Sequence, residues 1–182
     1  MKTLYDAKWA KLLQADNGYV FLERKGKDSI AVLPFRFARD LISPYTKSLQ
    51  ILIRYQFLPV SSVPTYNDLF PCPITGTIDD LEPAIYAAKR ELREETGFSV
   101  DVEDLIKCGG YVVGTQTNEI CHHYLVNVTD LPQGDPELDG SEGEEAAHNE
   151  WKSYGEVNAI VRSSNCISSL KILFDEINMR IL

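Results

Sequence analysis

Little in the chain ties it to a membrane, to nucleic acid or to an oxidising compartment. No apolar run approaches the roughly 20 residues of a membrane-spanning helix. The opening MKTLYDAKWAKLL is interrupted by Asp6, Lys8 and Lys11. It has neither the apolar core nor the small-residue cleavage site of a secretory signal. Cysteine is sparse: Cys72, Cys108, Cys121 and Cys166 are scattered, with no CxxC pair. That argues against a zinc site and a disulfide framework, and it leads to the expectation of a cytoplasmic protein with reduced thiols. Basic residues do not cluster, and 18 Lys and Arg against 27 Asp and Glu leave a net charge of −9. The basic footprint of duplex nucleic-acid binding is therefore missing. Histidine is rare, and the neighbours His122 and His123 would point to opposite faces of a strand, so they cannot share one metal. The chain has no internal repeat and no low-complexity segment.

What is present reads as one domain, 1–182, with a hydrophobic content of 44% and a charged content of 25%, enough for a real core. Residues 1–28 read as an N-terminal arm, too short for a core of its own. In it Asn17-Gly18 is a turn signal, Tyr19, Phe21 and Glu23 alternate as a short strand, and Lys25-Gly26-Lys27-Asp28 turns again. Ile30–Phe35 and Leu49–Phe57 are apolar strands, with a loop over 36–48 between them. A loop rich in Pro, Ser and Asn starts at Ser61, and Leu69–Ile74 leads out of it as a strand. Val100–Val102, Leu105–Cys108, Tyr111–Val113 and Cys121–Val128 are further strand candidates. Asp130–Asn149 is a long acidic loop carrying Glu142, Glu144 and Glu145, and loops of such length are uncommon unless functional or disordered. A strand over Asn149–Lys152 precedes a helix opened by the capping box Ser153-x-x-Glu156 and running through Val161. In the last helix Ile167, Leu170, Phe174, Ile177 and Ile181 make one core face.

The most informative stretch is Gly76 to Phe98, GTIDDLEPAIYAAKRELREETGF. Pro83 suits the start of a helix and Gly97 the left-handed residue just past its end, with about fourteen helical residues between. Glu91, Glu94 and Glu95 stand at i, i+3 and i+4 and share one face. Ile85, Ala88 and Leu92 form a neighbouring face for packing on a sheet, and the small Ala87 is expected to leave space beside the carboxylates. Three carboxylates on one stripe repel each other by a few tenths of a kcal/mol per pair, roughly, when exposed. Removing one charge should therefore leave stability level or raise it. A divalent cation would relieve the repulsion, since Mg²⁺ prefers hard carboxylate, water and phosphate oxygens. The alternative is a plain solvated acidic face.

The fixed positions Gly76, Glu82, Arg90, Glu91, Leu92, Glu94, Glu95, Gly97 and Phe98 follow G-x5-E-x7-R-E-U-x-E-E-x-G-U, with U a bulky apolar residue. This is the Nudix box, and the chain resembles the Nudix hydrolases. The resemblance implies an α/β fold: an α/β/α sandwich with a mixed sheet and the box as loop–helix–loop. It implies Mg²⁺ or Mn²⁺ as cofactor, with metal ligands Glu91, Glu94 and Glu95 and the backbone carbonyl of Thr75. Arg90 would orient a box glutamate, and Glu82 would support the loop or reach the metal through water. Glu94 and Arg90 would also serve catalysis.

Outside the box the chain is most similar to the ADP-ribose and ADP-sugar pyrophosphatase branch. That likeness implies cleavage of a nucleoside diphosphate linked to another moiety, giving AMP and a sugar phosphate. Arg54 fits the first Arg of the V-R-Q-Y-R strand, while Phe57 stands where the second would be. Glu119 is the candidate for the Glu of the P-G-x-S-x-E loop, and Val113 replaces its proline. The general base of the branch lies in a loop such as 130–149, which leaves Glu142, Glu144 and Glu145 as candidates; a solvated acidic loop is the alternative. In the branch the N-terminal arm crosses to the partner of a homodimer and stacks an aromatic residue on the adenine. Trp9 is the candidate here, its alternative being a tryptophan packed in the core. Other readings are a dinucleoside polyphosphate, NADH, FAD or capped RNA as substrate, a module that senses a nucleotide without cleaving it, and a purely structural domain.

Overall fold

A computed structural model describes residues 1–24, 26, 28–39, 47–58, 69–137, 146–163 and 166–182. Among the described residues the main sheet has seven strands. Its central path runs β10 (His148–Ser153), β5 (Lys47–Phe57), β4 (Ser29–Arg39), β9 (Ile120–Asn127) and β8 (Leu105–Val112). β4 and β9 are parallel and the other pairs are antiparallel, so the sheet is mixed. Two short strands, β6 (Leu69–Cys72) and β7 (Ile74–Thr77), are parted at Pro73. β6 pairs with the end of β5, while β7 pairs with the start of β4.

Side-chain alternation along these strands builds two cores. Ala31, Leu33, Phe35, Ile51 and Ile53 pack under helices α2 (Tyr154–Arg162) and α3 (Ser168–Arg180). Ile30, Val32 and Leu52 face the other way, against Ala88 and Leu92 of α1 (Ala84–Thr96). The result is the α/β/α sandwich that the resemblance implies. α1 lies where its spacing predicts. Pro83 is its N-cap with φ −65°, and Gly97, at φ 76°, ends it by donating its N–H to the carbonyl of Arg93. Ala87 is fully buried in the core beneath α1. The Ser153–Glu156 capping box is formed in both directions.

Other expectations need correction. The arm is a sheet of three antiparallel strands, β1 (Lys2–Asp6), β2 (Ala10–Gln14) and β3 (Val20–Arg24). It lies against its own chain: Leu22 exchanges backbone hydrogen bonds with Gln116 and Asn118, and the Tyr19 hydroxyl donates to the carbonyl of Thr115. Val102–Asp104 is a 3₁₀ turn capped by Asp101, not the end of a strand. Leu105–Cys108 and Tyr111–Val112 belong to one strand, β8, which ends before Val113 and is kinked at Lys107–Gly109, where Gly109 takes φ 128°.

The two adjacent histidines do face opposite ways. His122 stays half-buried, 4.0 Å from Asp28. His123 is buried, its Nδ1 2.9 Å from the carbonyl of Cys121 and its ring edge-on to Tyr111 at 5.2 Å. Burial lowers the His123 pKa, opposed by its bond to Cys121 and by nearby Glu176. The folded state thus binds a proton less readily than the unfolded chain, whose imidazole titrates near about 6.5. Stability from this group is complete above that pH and is lost as pH falls through the lower folded value. The melting temperature should fall below about pH 6.5, and His123→Phe should flatten that limb; an unchanged profile counts against the assignment.

Candidate active site

The split between β6 and β7 sets the geometry of the site. Gly76 lies opposite Ile30 in the β4–β7 ladder, directly under the helix that carries the box. A Cβ at Gly76 would stand 2.1 Å from Cδ and Oε1 of Glu91. Only glycine lets the strand come so close to that carboxylate. Glu91 is largely buried, and desolvation raises its pKa, opposed by the hydrogen bond from Arg90.

Arg90 gathers the box. Its Nη1 donates to Glu91 at 2.7 Å and to Glu94 at 3.2 Å, and its Nη2 donates to the carbonyl of Thr77 at 3.0 Å and to Glu82 at 3.1 Å. Nε reaches the other oxygen of Glu82 at 3.3 Å. Glu82 also accepts from the backbone N–H of Asp79 at 3.3 Å, and its pKa is lowered chiefly by Arg90. Glu82, expected to support the loop or to reach the metal through water, braces the loop ahead of α1; like Glu94, it does not line the cleft described next.

That cleft, of about 830 Å³, is lined by Trp9, Arg24, Gly26, Thr75, Thr77, Ile78, Asp79, Asp80, Arg90, Glu91 and Glu95. Two arginines against four carboxylates make the wall acidic. Among the described residues no three His, Cys, Asp or Glu side chains already form a ready-made cage, and Arg90 takes up Glu91 and Glu94 instead. The donor set nevertheless fits a hard divalent cation. Glu91, Glu94, Glu95 and the Thr75 carbonyl are all oxygen donors, the strand beneath Glu91 is cut back to glycine, and a buried carboxylate with a raised pKa gains from a nearby cation.

The other expected site residues fall in different places. Trp9 is exposed on the cleft wall of its own chain, with Lys8 Nζ 4.4 Å above its ring. Arg54 and Glu119, expected to bind substrate, do not line the cleft. Arg54 is buried, with Nε 3.2 Å from Glu95 Oε1. Glu119 is held by Arg24 in an ion pair and by the Ser29 hydroxyl at 2.6 Å. Arg24, from β3, is the cleft cation that the sequence did not reveal. Its partners Glu119 and Thr77 are far away in the chain, and no local pattern marks it. Glu142, Glu144 and Glu145 lie outside the described residues.

A family model for the NUDIX domain matches residues 52–168. The match covers more than half of the chain, and the protein belongs to the Nudix family. It is a hydrolase of the Nudix class, whose members act on small-molecule nucleotides and generally use divalent metals. No curated protein matches the chain. None of its helices among the described residues is long and apolar enough to cross a membrane.

Proposed function

We propose that the protein is a cytoplasmic Mg²⁺-dependent pyrophosphohydrolase acting on ADP-ribose or a similar ADP-sugar, and that residues 1–182 work as one unit. The observation that carries this reading is the cleft. Box carboxylates and a wall bearing Trp9 and Arg24 line one opening of about 830 Å³, within the range of roughly 300–1,000 Å³ usual for small-molecule sites. A base can stack on the exposed indole of Trp9, while the Arg24 guanidinium suits a phosphate.

Glu91, Glu94, Glu95 and the Thr75 carbonyl would hold the cation, with Arg90 and Glu82 keeping their loop and helix in register. Bound there, Mg²⁺ would neutralise the diphosphate, lower the pKa of a water and stabilise the leaving phosphate. Arg90 orients Glu91 and Glu94 through its two short contacts. A glutamate of the acidic segment, Glu142 or Glu144 before Glu145, would take the proton of the attacking water. Attack on one phosphorus breaks the diphosphate P–O bond and releases AMP and ribose 5-phosphate.

The test is a panel of ADP-ribose, a dinucleoside polyphosphate, NADH and FAD, with products separated by chromatography. ADP-ribose should have the highest kcat/KM. Faster hydrolysis of another member would overturn the substrate assignment and leave the class untouched. We also propose a homodimer, because the arm sheet exposes Tyr5, Leu12 and Leu22, which adjoin one another across its three strands. Light scattering at micromolar concentration should give twice the chain mass; a monomer with full activity would end that proposal. In either state Trp9 would serve its own cleft.

A further inference from the structure

A buried arginine behind the cleft belongs to none of the box positions. Arg54 sits on β5 at the phase of Leu52, facing the core under α1, where alternation calls for a hydrocarbon. It is 2% exposed. A guanidinium at such depth is strongly unfavourable unless paired and hydrogen-bonded, so its partners should explain it. Its Nε stands 3.2 Å from Glu95 Oε1 and 3.3 Å from Gln56 Oε1. Gln56, two residues on and on the same face, donates through Nε2 to the Thr75 hydroxyl at 3.2 Å. Asn149, opposite Arg54 in the β10–β5 ladder, donates to the backbone carbonyl of Glu95 at 2.7 Å. One face of β5 thus ties a carboxylate of α1 to a residue of β7.

We propose that Arg54, working with Gln56, is a positioning residue that fixes the Glu95 carboxylate and Thr75 for a divalent cation before the cation arrives. The inference rests on the assignment of Glu95 and Thr75 as ligands under the proposed function. Arg54 does not line the cleft, so it acts through Glu95 rather than on substrate. Without it the Glu95 side chain and the β7 backbone would have to be ordered by the metal, and that ordering would come out of the binding free energy. Lysine is a poor substitute, because its ammonium is a point charge on a flexible stem and lacks the fixed donor geometry of the guanidinium.

The experiment titrates Mn²⁺ into the metal-stripped full chain, following free Mn²⁺ by electron paramagnetic resonance, with a melting curve for each variant. Arg54→Met should weaken Mn²⁺ binding about 10- to 100-fold, the usual effect of losing a group that orients a ligand. Arg54→Lys should recover part of the loss, and Gln56→Ala should show a smaller one. A role in folding alone would lower the melting temperature and leave the Mn²⁺ constant of the folded protein unmoved, and that result overturns the proposal. Should Arg54→Met not fold, native Mn²⁺ affinity in Gln56→Ala overturns it equally. No Mn²⁺ binding by the unaltered protein removes the ligand assignment and this proposal with it. Mn²⁺ binding that responds to Arg54→Met without hydrolysis of any nucleotide sinks the catalytic reading and supports this one.

Discussion

Glu95→Gln is expected to lower turnover at least about a hundredfold, comparable to losing one charge-stabilising contact at a reacting centre. The substitution keeps the size and helix propensity of the side chain and removes one negative charge from the cleft wall. It should also lower the melting temperature of the metal-free protein, which reverses the expectation drawn from repulsion along the helix. The reason is Arg54, buried at 2% exposure with its Nε 3.2 Å from the Glu95 carboxylate. Removing one partner of a buried ion pair costs about 3–5 kcal/mol. The amide oxygen of Gln can still accept from Arg54, so the lower end of that range applies. Melting curves in chelator read the second effect, and saturating-metal kinetics well below the melting temperature read the first. Native turnover with an unchanged melting temperature would remove Glu95 from both roles.

A drop in kcat of roughly a hundred- to ten-thousandfold is expected when the glutamate proposed as general base becomes Gln. The described flanks bear on where that base can be. At one end the backbone N–H of Glu137 donates to the carbonyl of Glu94 at 2.8 Å. At the other, Asn149 donates to the carbonyl of Glu95 at 2.7 Å. The segment therefore leaves and returns at the last turn of α1, beside the proposed ligands. Glu142 stands five residues from Glu137, and Glu144 five from Asn149; either way this is about 17 Å of extended chain. Chain length alone therefore excludes neither glutamate from the last turn of α1. Single Gln variants at 142, 144 and 145 should include one with the full loss and with substrate affinity little changed. Should all three keep native kcat, the base lies elsewhere. Glu119, held by Arg24 and Ser29, and Glu94, held by Arg90, would then be next in line.

The box was legible because its information is local. Helical spacing places Glu91, Glu94 and Glu95, and the left-handed Gly97 ends the helix that bears them. Apolar runs likewise mark β4, β5, β9 and the faces of α2 and α3. β1 carries no such signal, since all five of its residues are exposed, and Lys107–Gly109 hid the continuity of β8 behind a kink. The layer behind the cleft is non-local. Arg24 meets Glu119, and Arg54 meets Glu95, only once strands and helix are assembled. One clue was present all the same: a charged residue at the buried phase of an apolar strand demands a partner, and Arg54 is such a residue. Trp9 was readable as a candidate and not as a wall of its own cleft, because the sheet beside it is tied to Thr115, Gln116 and Asn118, which are distant in sequence.

The most direct test of the central claim is hydrolysis of ADP-ribose in ¹⁸O-water, with Mg²⁺ and with chelator in its place. The account predicts Mg²⁺-dependent release of AMP and ribose 5-phosphate, with one ¹⁸O atom in only one of the two phosphates. Equal rates with and without a divalent cation, or label in neither product, would contradict it.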